Sequence, residues 1–343
     1  MVLWMIFPKS STGLVVMFET LLPIILAGLM NGSFVIPSKY VKGLNDDAIW
    51  LRHCIIALII LPGIILTIVA PESITIYFLL PKITNICILL SGVIFGFGQI
   101  CFMMAIKKIG VGASFSVNLG IGTAIGSIFV VLYKKMLFSY SGFFVSLSVL
   151  LVITSLFLYY MGSKPTKDIL PFSCSKQTSF SFLGWVLAAI AGGCSGLQNV
   201  AFTTIFFSTT ALVKSSNPFW IWPLFLLGAA LPMAIVFYYR SHKNYIHKID
   251  LDIYTFIKNI FLITLMGVCF TGSLAIYSTT MKSLNDYLQL FAWPAFMISI
   301  ILAAQFWGTI EAKRMAIPRN QIYIMSSIVI LVLSIVFLGL YSR

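Results

Sequence analysis

Residues 82–110 read KITNICILLSGVIFGFGQICFMMAIKKIG. No charged residue lies between Lys82 and Lys107, and the only amides in that run are Asn85 and Gln99. An α-helix needs about 20 predominantly apolar residues to cross a hydrocarbon core roughly 30 Å thick. A helix is also the form that an isolated strand of chain can take there, because it satisfies its own backbone where no water can. The stretch therefore reads as a membrane-spanning helix with lysines at both ends.

The same pattern recurs along the chain. Ten segments qualify: 20–38, 53–70, 84–106, 111–133, 138–161, 179–207, 216–239, 259–281, 287–307 and 320–342. None contains an Asp, Glu, Lys or Arg, so every charged residue falls between spans or at a terminus. Of the 343 residues, 60% are apolar and 9% are charged, where a soluble domain carries about 25% charge. The expectation is an all-α, multi-pass membrane protein embedded in the lipid bilayer. The net charge of +13 does not point to a nucleic-acid partner, because the basic residues are scattered singly and form no phosphate-tracking stripe.

Fifteen of the 22 Lys and Arg lie in the odd-numbered connections, and seven lie in the even connections and termini. Basic residues mark the cytoplasmic side, so the odd connections are expected inside and both termini outside. Lys134 and Lys135 in the fourth connection run against that count. Residues 1–17 read as an N-terminal extension, with Met17 as an alternative start. Residues 18–161 form a first set of five spans, 162–178 a polar cytoplasmic linker, and 179–343 a second set. Five helices per half make the second set enter from the opposite side. Ala27-Gly28 and Gly32 in span 1 line up with Ala191-Gly192 and Gly196 in span 6, and Gly92 in span 3 with Gly267 in span 8. An inverted five-plus-five repeat is thus expected, an arrangement common among secondary transporters, with the substrate held near the midplane.

With no charge inside the spans, a binding site has to be made of neutral polar groups and aromatics. An amide facing lipid leaves its polar atoms unpaired at a cost of several kcal/mol, so each intramembrane amide should face another helix or a wet cavity. The substrate-binding candidates are Asn31, Gln99, Asn118, Gln198, Asn199 and Gln289, with Trp293 as an aromatic platform next to Pro294. Gln305 is a further intramembrane amide. The competing reading for any one of them is a plain interhelical hydrogen bond, worth about 0.6 kcal/mol. Trp220 and Trp222 sit near a span end and read as interfacial anchors. Gly120, Gly122 and Gly126, interleaved with Thr123 and Ser127, read as a close-packing surface. Proton-coupling candidates are Asp286 and Glu19, one residue before spans 9 and 1. His53, His242 and His247 read as solvated, and the six cysteines as small apolar side chains. No metal-ligand spacing is present, so no metal or other cofactor is expected.

Three stretches carry a family resemblance. They are residues 31–42 (NGSFVIPSKYVK), residues 95–99 (FGFGQ) followed by 104–110 (MAIKKIG), and Asp286-Tyr287 opening span 9. Together with the glycine-rich span 4 they resemble the L-rhamnose–proton symporter family of the drug/metabolite transporter superfamily. Residues 33–39 are also similar to glucose-uptake-type carriers of that superfamily. Span 8 departs from the symporter pattern, being poorer in polar and aromatic residues over 272–281. The resemblance implies ten helices, an inverted repeat and sugar uptake across a bacterial cytoplasmic (inner) membrane.

The expected function is secondary active transport of a sugar or similar small polar metabolite by alternating access, with protons as the coupling ion if the resemblance extends to the mechanism. An exporter or exchanger of amino-acid-like or drug-like metabolites is the alternative. An integral-membrane enzyme is the third reading, and the absence of clustered acids, histidines or metal ligands weighs against it.

Overall fold

The computed structural model describes residues 13–163, 181–208, 216–243, 252–284, 286–311 and 318–340. Those residues are helical with short turns, and no strand occurs among them. The long helices are α1 (Gly13–Gly32), α2 (Asp46–Val69), α3 (Lys82–Ile109), α4 (Val111–Tyr133) and α5 (Tyr140–Ser163). They continue as α6 (Phe182–Ser208), α7 (Ile221–Lys243), α8 (Ile253–Ser283), α9 (Asp286–Glu311) and α10 (Pro318–Leu340). Among the described residues, nine helices are long and apolar enough to cross a membrane. The tenth expected span is covered by α10, whose fully described part, Asn320–Ser334, is shorter. The chain is a multi-pass membrane protein.

The outer surface agrees with that reading. Ile64, Ile68, Phe97, Phe157, Ile235 and Phe261 are among many large apolar side chains left exposed. A water-facing surface rarely carries contiguous apolar patches beyond a few hundred Å², whereas acyl chains solvate such a surface well. The interior holds many of the polar residues instead.

The packing pattern has a simple order. α3 packs on α6 and α7, and α8 packs on α1 and α2. α4 packs on α6, and α9 on α1; α4 packs on α5, and α9 on α10. Three further pairs join helices five places apart: α2 with α7, α4 with α9 and α5 with α10. Exchanging each helix for the one five places along returns this set of pairs. Each of the three self-related pairs is antiparallel. Asp47 near the start of α2 meets Arg240 near the end of α7. Gly112 early in α4 meets Gly308 late in α9. Ser148 and Ser155 of α5 pair with Ser334 and Ser327 of α10 at 2.6 and 2.8 Å.

Between apolar helices in lipid there is no hydrophobic drive to associate, so close backbone approach supplies much of the attraction. Glycine provides it at three crossings. A side chain starting at Gly28 would lie 2.5 Å from Ser299 Cβ and 2.6 Å from the Phe296 carbonyl, which seats α1 on α9. A side chain at Gly192 would lie 2.6 Å from the Asn118 carbonyl, which seats α6 on α4. α3 and α7 meet most tightly, where Gly92 abuts the Phe225 carbonyl and Gly228 abuts that of Leu89.

One end of the bundle is closed by charge. Asn45 caps α2 by accepting from the Ala48 N–H at 2.7 Å, and Asp46 and Asp47 occupy the first turn, where the helix dipole favours acids. Lys107 in the last turn of α3 and Arg240 in the last turn of α7 sit at the complementary helix ends. Asp47 lies 3.4 Å from both, and Lys107 also lies 3.3 Å from Asp46. All of these residues border odd-numbered connections. Deeper in the same region α2 and α8 each contain a π-helical turn, Cys54–Ile60 and Val268–Gly272. Thr271 Oγ donates to the Ala57 carbonyl at 2.5 Å, so one irregular turn pairs with a backbone group of the other.

Gly92→Ala is expected to lower the thermal unfolding temperature in detergent, by a destabilisation of about 1–3 kcal/mol, because the added methyl has only backbone to displace. Gly63→Ala, which would meet nothing within 4 Å, serves as the matched control and should not lower it.

Candidate functional site

A cavity of about 50 Å³ lies at the centre of the bundle. Its walls come from α1, the turn after α1, and from α3, α4, α6, α7, α8 and α9, which places both sets of five helices around it. Asn31, Gln99, Asn118, Gln198 and Trp293 all border it. A smaller cavity of about 20 Å³ adjoins it, with Asn199, Gln289 and Ser127 in its lining and Trp293 shared between the two. The seven substrate-binding candidates thus surround two neighbouring spaces, although they come from five different helices.

Their partners differ, and the difference separates framework from free groups. Asn31 Nδ2 donates to Ser273 Oγ at 2.7 Å, and Ser273 in turn donates to the Phe270 carbonyl at 2.6 Å, joining α1 to α8. Asn118 Oδ1 accepts from Ser195 Oγ at 3.0 Å, joining α4 to α6. Gln289 donates to the Leu284 carbonyl at 3.1 Å and holds the connection into α9. Gln305 is wholly structural: its Nε2 donates to Ser116 at 3.2 Å and its Oε1 accepts from Ser327 at 3.0 Å, stitching α4, α9 and α10 together. Gln99 and Gln198, by contrast, have no hydrogen-bond partner among the described residues and open on the main cavity. Asn199 Nδ2 and Trp293 Nε1 are buried with no partner.

Aromatic rings make the rest of the wall. Phe115 meets Phe102 edge-to-face at 4.7 Å and Phe34 at 5.8 Å. Trp293 is flanked by Tyr277 at 5.9 Å and Phe296 at 6.1 Å. Among the described residues, no Asp, Glu, Lys, Arg or His lines either cavity. The surroundings suit a neutral molecule with hydroxyl or carbonyl groups on its edge and an apolar face for the rings.

Two sequence readings need correcting. Trp220 and Trp222 are not interfacial anchors; both are fully buried. A short helix, Ile76–Leu79, folds over the start of α7, and Tyr77 donates its hydroxyl to the Trp220 carbonyl. Trp222 lines the main cavity, stacks on Phe202 at 5.2 Å and donates Nε1 to Ser278 at 2.7 Å. Span 7 as read from the sequence already begins at residue 216, so its start carried no signal of that burial; the cover over it comes from residues remote in the chain. His53 is not solvated either. It is 2% exposed, stacked on Phe34 at 5.5 Å and edge-on to Trp50 and Phe270. Its neighbours Phe34 and Phe270 line the main cavity, so His53 stands directly behind that wall. His242 is exposed, in keeping with the sequence.

The proton-coupling candidates are placed only in part. Glu19 falls within α1 rather than ahead of it, and Asp286 is the first residue of α9; the side chains of both lie outside the described residues. His247 and all but the first two residues of the 162–178 connection also lie outside them.

Compared with models of protein families and with curated protein sequences, the chain matches none. The class is set by the fold and the site: a multi-pass helical membrane protein with a neutral, amide- and aromatic-lined cavity at its centre.

The Asn118–Ser195 bond gives a direct test of the framework. A double-mutant cycle on Asn118→Leu and Ser195→Ala, read by unfolding in detergent, is expected to give a coupling of about 0.6 kcal/mol and no more than about 1.7 kcal/mol.

Proposed function

We propose that this chain is a secondary transporter of a neutral, sugar-like metabolite, working by alternating access around the central cavity. The observation that carries the reading is the pair Gln99 and Gln198, one amide from each set of five helices, both unpartnered among the described residues and both facing the same cavity. Both amides open on the cavity rather than on protein partners, so a ligand bearing hydroxyls can bond to them while aromatic walls cover its ring.

The ten-span, inverted five-plus-five architecture of the drug/metabolite transporter superfamily belongs to the same proposal. It is supported by the exchange symmetry of the packing and by the antiparallel α2–α7, α4–α9 and α5–α10 pairs. Matched glycine seats at Gly28 and Gly192 support it further. The L-rhamnose–proton symporter family is the proposed kinship, and a bacterial cytoplasmic membrane the proposed location. At about 50 Å³ the cavity has room for a few waters, so sugar entry requires the walls to part. The Asp46, Asp47, Lys107 and Arg240 cluster is the contact that would have to loosen on one side. The many aromatic walls favour, as a second reading, export of amino-acid-like metabolites with apolar side chains.

A thermal-shift screen of the purified protein separates these readings, because ligand that binds only the folded state raises its stability. L-rhamnose or D-glucose is expected to raise the melting temperature, and Gln99→Leu and Gln198→Leu are each expected to abolish the rise. A shift with amino acids and none with monosaccharides would replace the first reading by the second. Proton coupling is tested in proteoliposomes: an L-rhamnose uptake rate that is independent of pH and unchanged in Asp286→Asn removes the proton from the mechanism.

A further inference from the structure

The smaller cavity holds a concentration of unused hydrogen-bond donors. Among the described residues Ser127 Oγ, Asn199 Nδ2 and Trp293 Nε1 are all buried without a hydrogen-bond partner, and all three residues line it. They come from α4, α6 and α9, and their exposures are 2%, 1% and 4%. Two of the three demonstrably converge. A side chain starting at Gly126 would run into Asn199 Nδ2 and would lie 2.9 Å from Trp293 Nε1, so both groups point at the bare backbone beside Ser127. Ser127 also has a local outlet that it does not take. Thr123 and Ser299 donate to the carbonyls one turn back, at 2.6 and 2.7 Å, as hydroxyls in helices commonly do.

One unpaired buried donor costs about 1–3 kcal/mol, and native interiors hold few of them. Three at one small space call for something that accepts. Among the described residues no cationic or anionic side chain lines either cavity, and a buried carboxylate would find no countercharge among them. The acceptor that fits is an oxygen of a neutral molecule. Trp293 belongs to both cavities, so its ring can cover a ligand in the larger one while its N–H points into the smaller.

We propose that the smaller cavity is the polar anchor of the transport site, and that Ser127, Asn199 and Trp293 donate there to the ring oxygen or carbonyl oxygen of a neutral sugar. The ring of that sugar then lies in the larger cavity, against Trp293 and within reach of Gln99 and Gln198. The proposal rests on the transport reading above and adds which atom of the substrate is held, and by which groups.

The test uses the full chain purified in detergent, with Ser127→Ala, Trp293→Phe and Asn199→Leu. In ligand-free protein Ser127→Ala and the near-isosteric Asn199→Leu are expected to melt at the wild-type temperature or higher, because an unpaired donor has been removed, whereas Trp293→Phe also loses buried ring packing and is read by ligand binding alone. In titrations with D-glucose and L-rhamnose, Ser127→Ala and Trp293→Phe are expected to weaken binding about tenfold each. myo-Inositol, a ring of the same size with no ring oxygen, is expected to bind at least that much more weakly than D-glucose. Lower melting of the ligand-free Ser127→Ala variant would show that hydroxyl already satisfied by a structural water and overturn the proposal. Unchanged sugar affinity in both variants, or myo-inositol binding as tightly as D-glucose, would overturn it as well. If no monosaccharide shifts the wild type, the sugar reading fails, and the anchor is judged by the Trp293 indole N–H resonance in ¹⁵N-Trp-labelled protein, identified by its loss in Trp293→Phe. A displacement of that resonance by acetamide, a small neutral carbonyl, upholds the anchor, and no displacement overturns it.

Discussion

The absence of water from a hydrocarbon core governs this structure. A polar group inside the bilayer has to be satisfied by protein or left at a cost of several kcal/mol. Backbone groups meet that demand by forming helices. Several helical Ser and Thr meet it by donating to a carbonyl one turn back, as Thr123, Thr154, Thr204 and Thr280 do. Others meet it across helices, as in the Ser148–Ser334 and Ser155–Ser327 pairs. Their spacing of seven residues, two helical turns, puts both serines of each helix on one face, so two bonds fix the register of α5 on α10.

Against that background the exceptions acquire meaning. Among the described residues, Ser127 Oγ, Asn199 Nδ2 and Trp293 Nε1 lie buried and unpaired at the smaller cavity and Gln99 and Gln198 open on the larger, while His53 Nδ1, Ser73 Oγ, Asn85 Oδ1 and Ser114 Oγ are unpaired elsewhere. A fold that can bury an amide as economically as it buries Gln305, with both ends of the side chain bonded, has the means to satisfy Gln99 and Gln198 too. That it leaves them facing a space is the contrast on which the proposed binding site rests.

The same constraint shapes the closure of one end. Acids at the start of α2 and bases at the ends of α3 and α7 follow from helix capping and dipole preference taken one helix at a time. Once α2 and α7 run antiparallel with α3 beside them, these local preferences meet as one ion cluster around Asp47. Behind it, His53 and the aromatic wall separate the cluster from the cavity.

The membrane class and the helical content were legible in the sequence, because length and apolarity alone decide what can cross a bilayer. That these seven side chains gather was legible for a related reason: a polar group in an apolar span has few places to go, and all seven border one of the two cavities. What the sequence left open was which partner each would find. Asn31, Asn118, Gln289, Gln305 and Gln99 look alike along the chain, yet some are bonded into the frame and Gln99 is free. Ser127 read as part of a packing surface, His53 as solvated and Trp222 as an anchor, because distance from a span end says nothing about what folds over that end. Those roles depend on which helices are neighbours and on their relative rotation. The glycine seats and the short Ile76–Leu79 helix settle both, through contacts between residues far apart in sequence, and only the tertiary structure contains them.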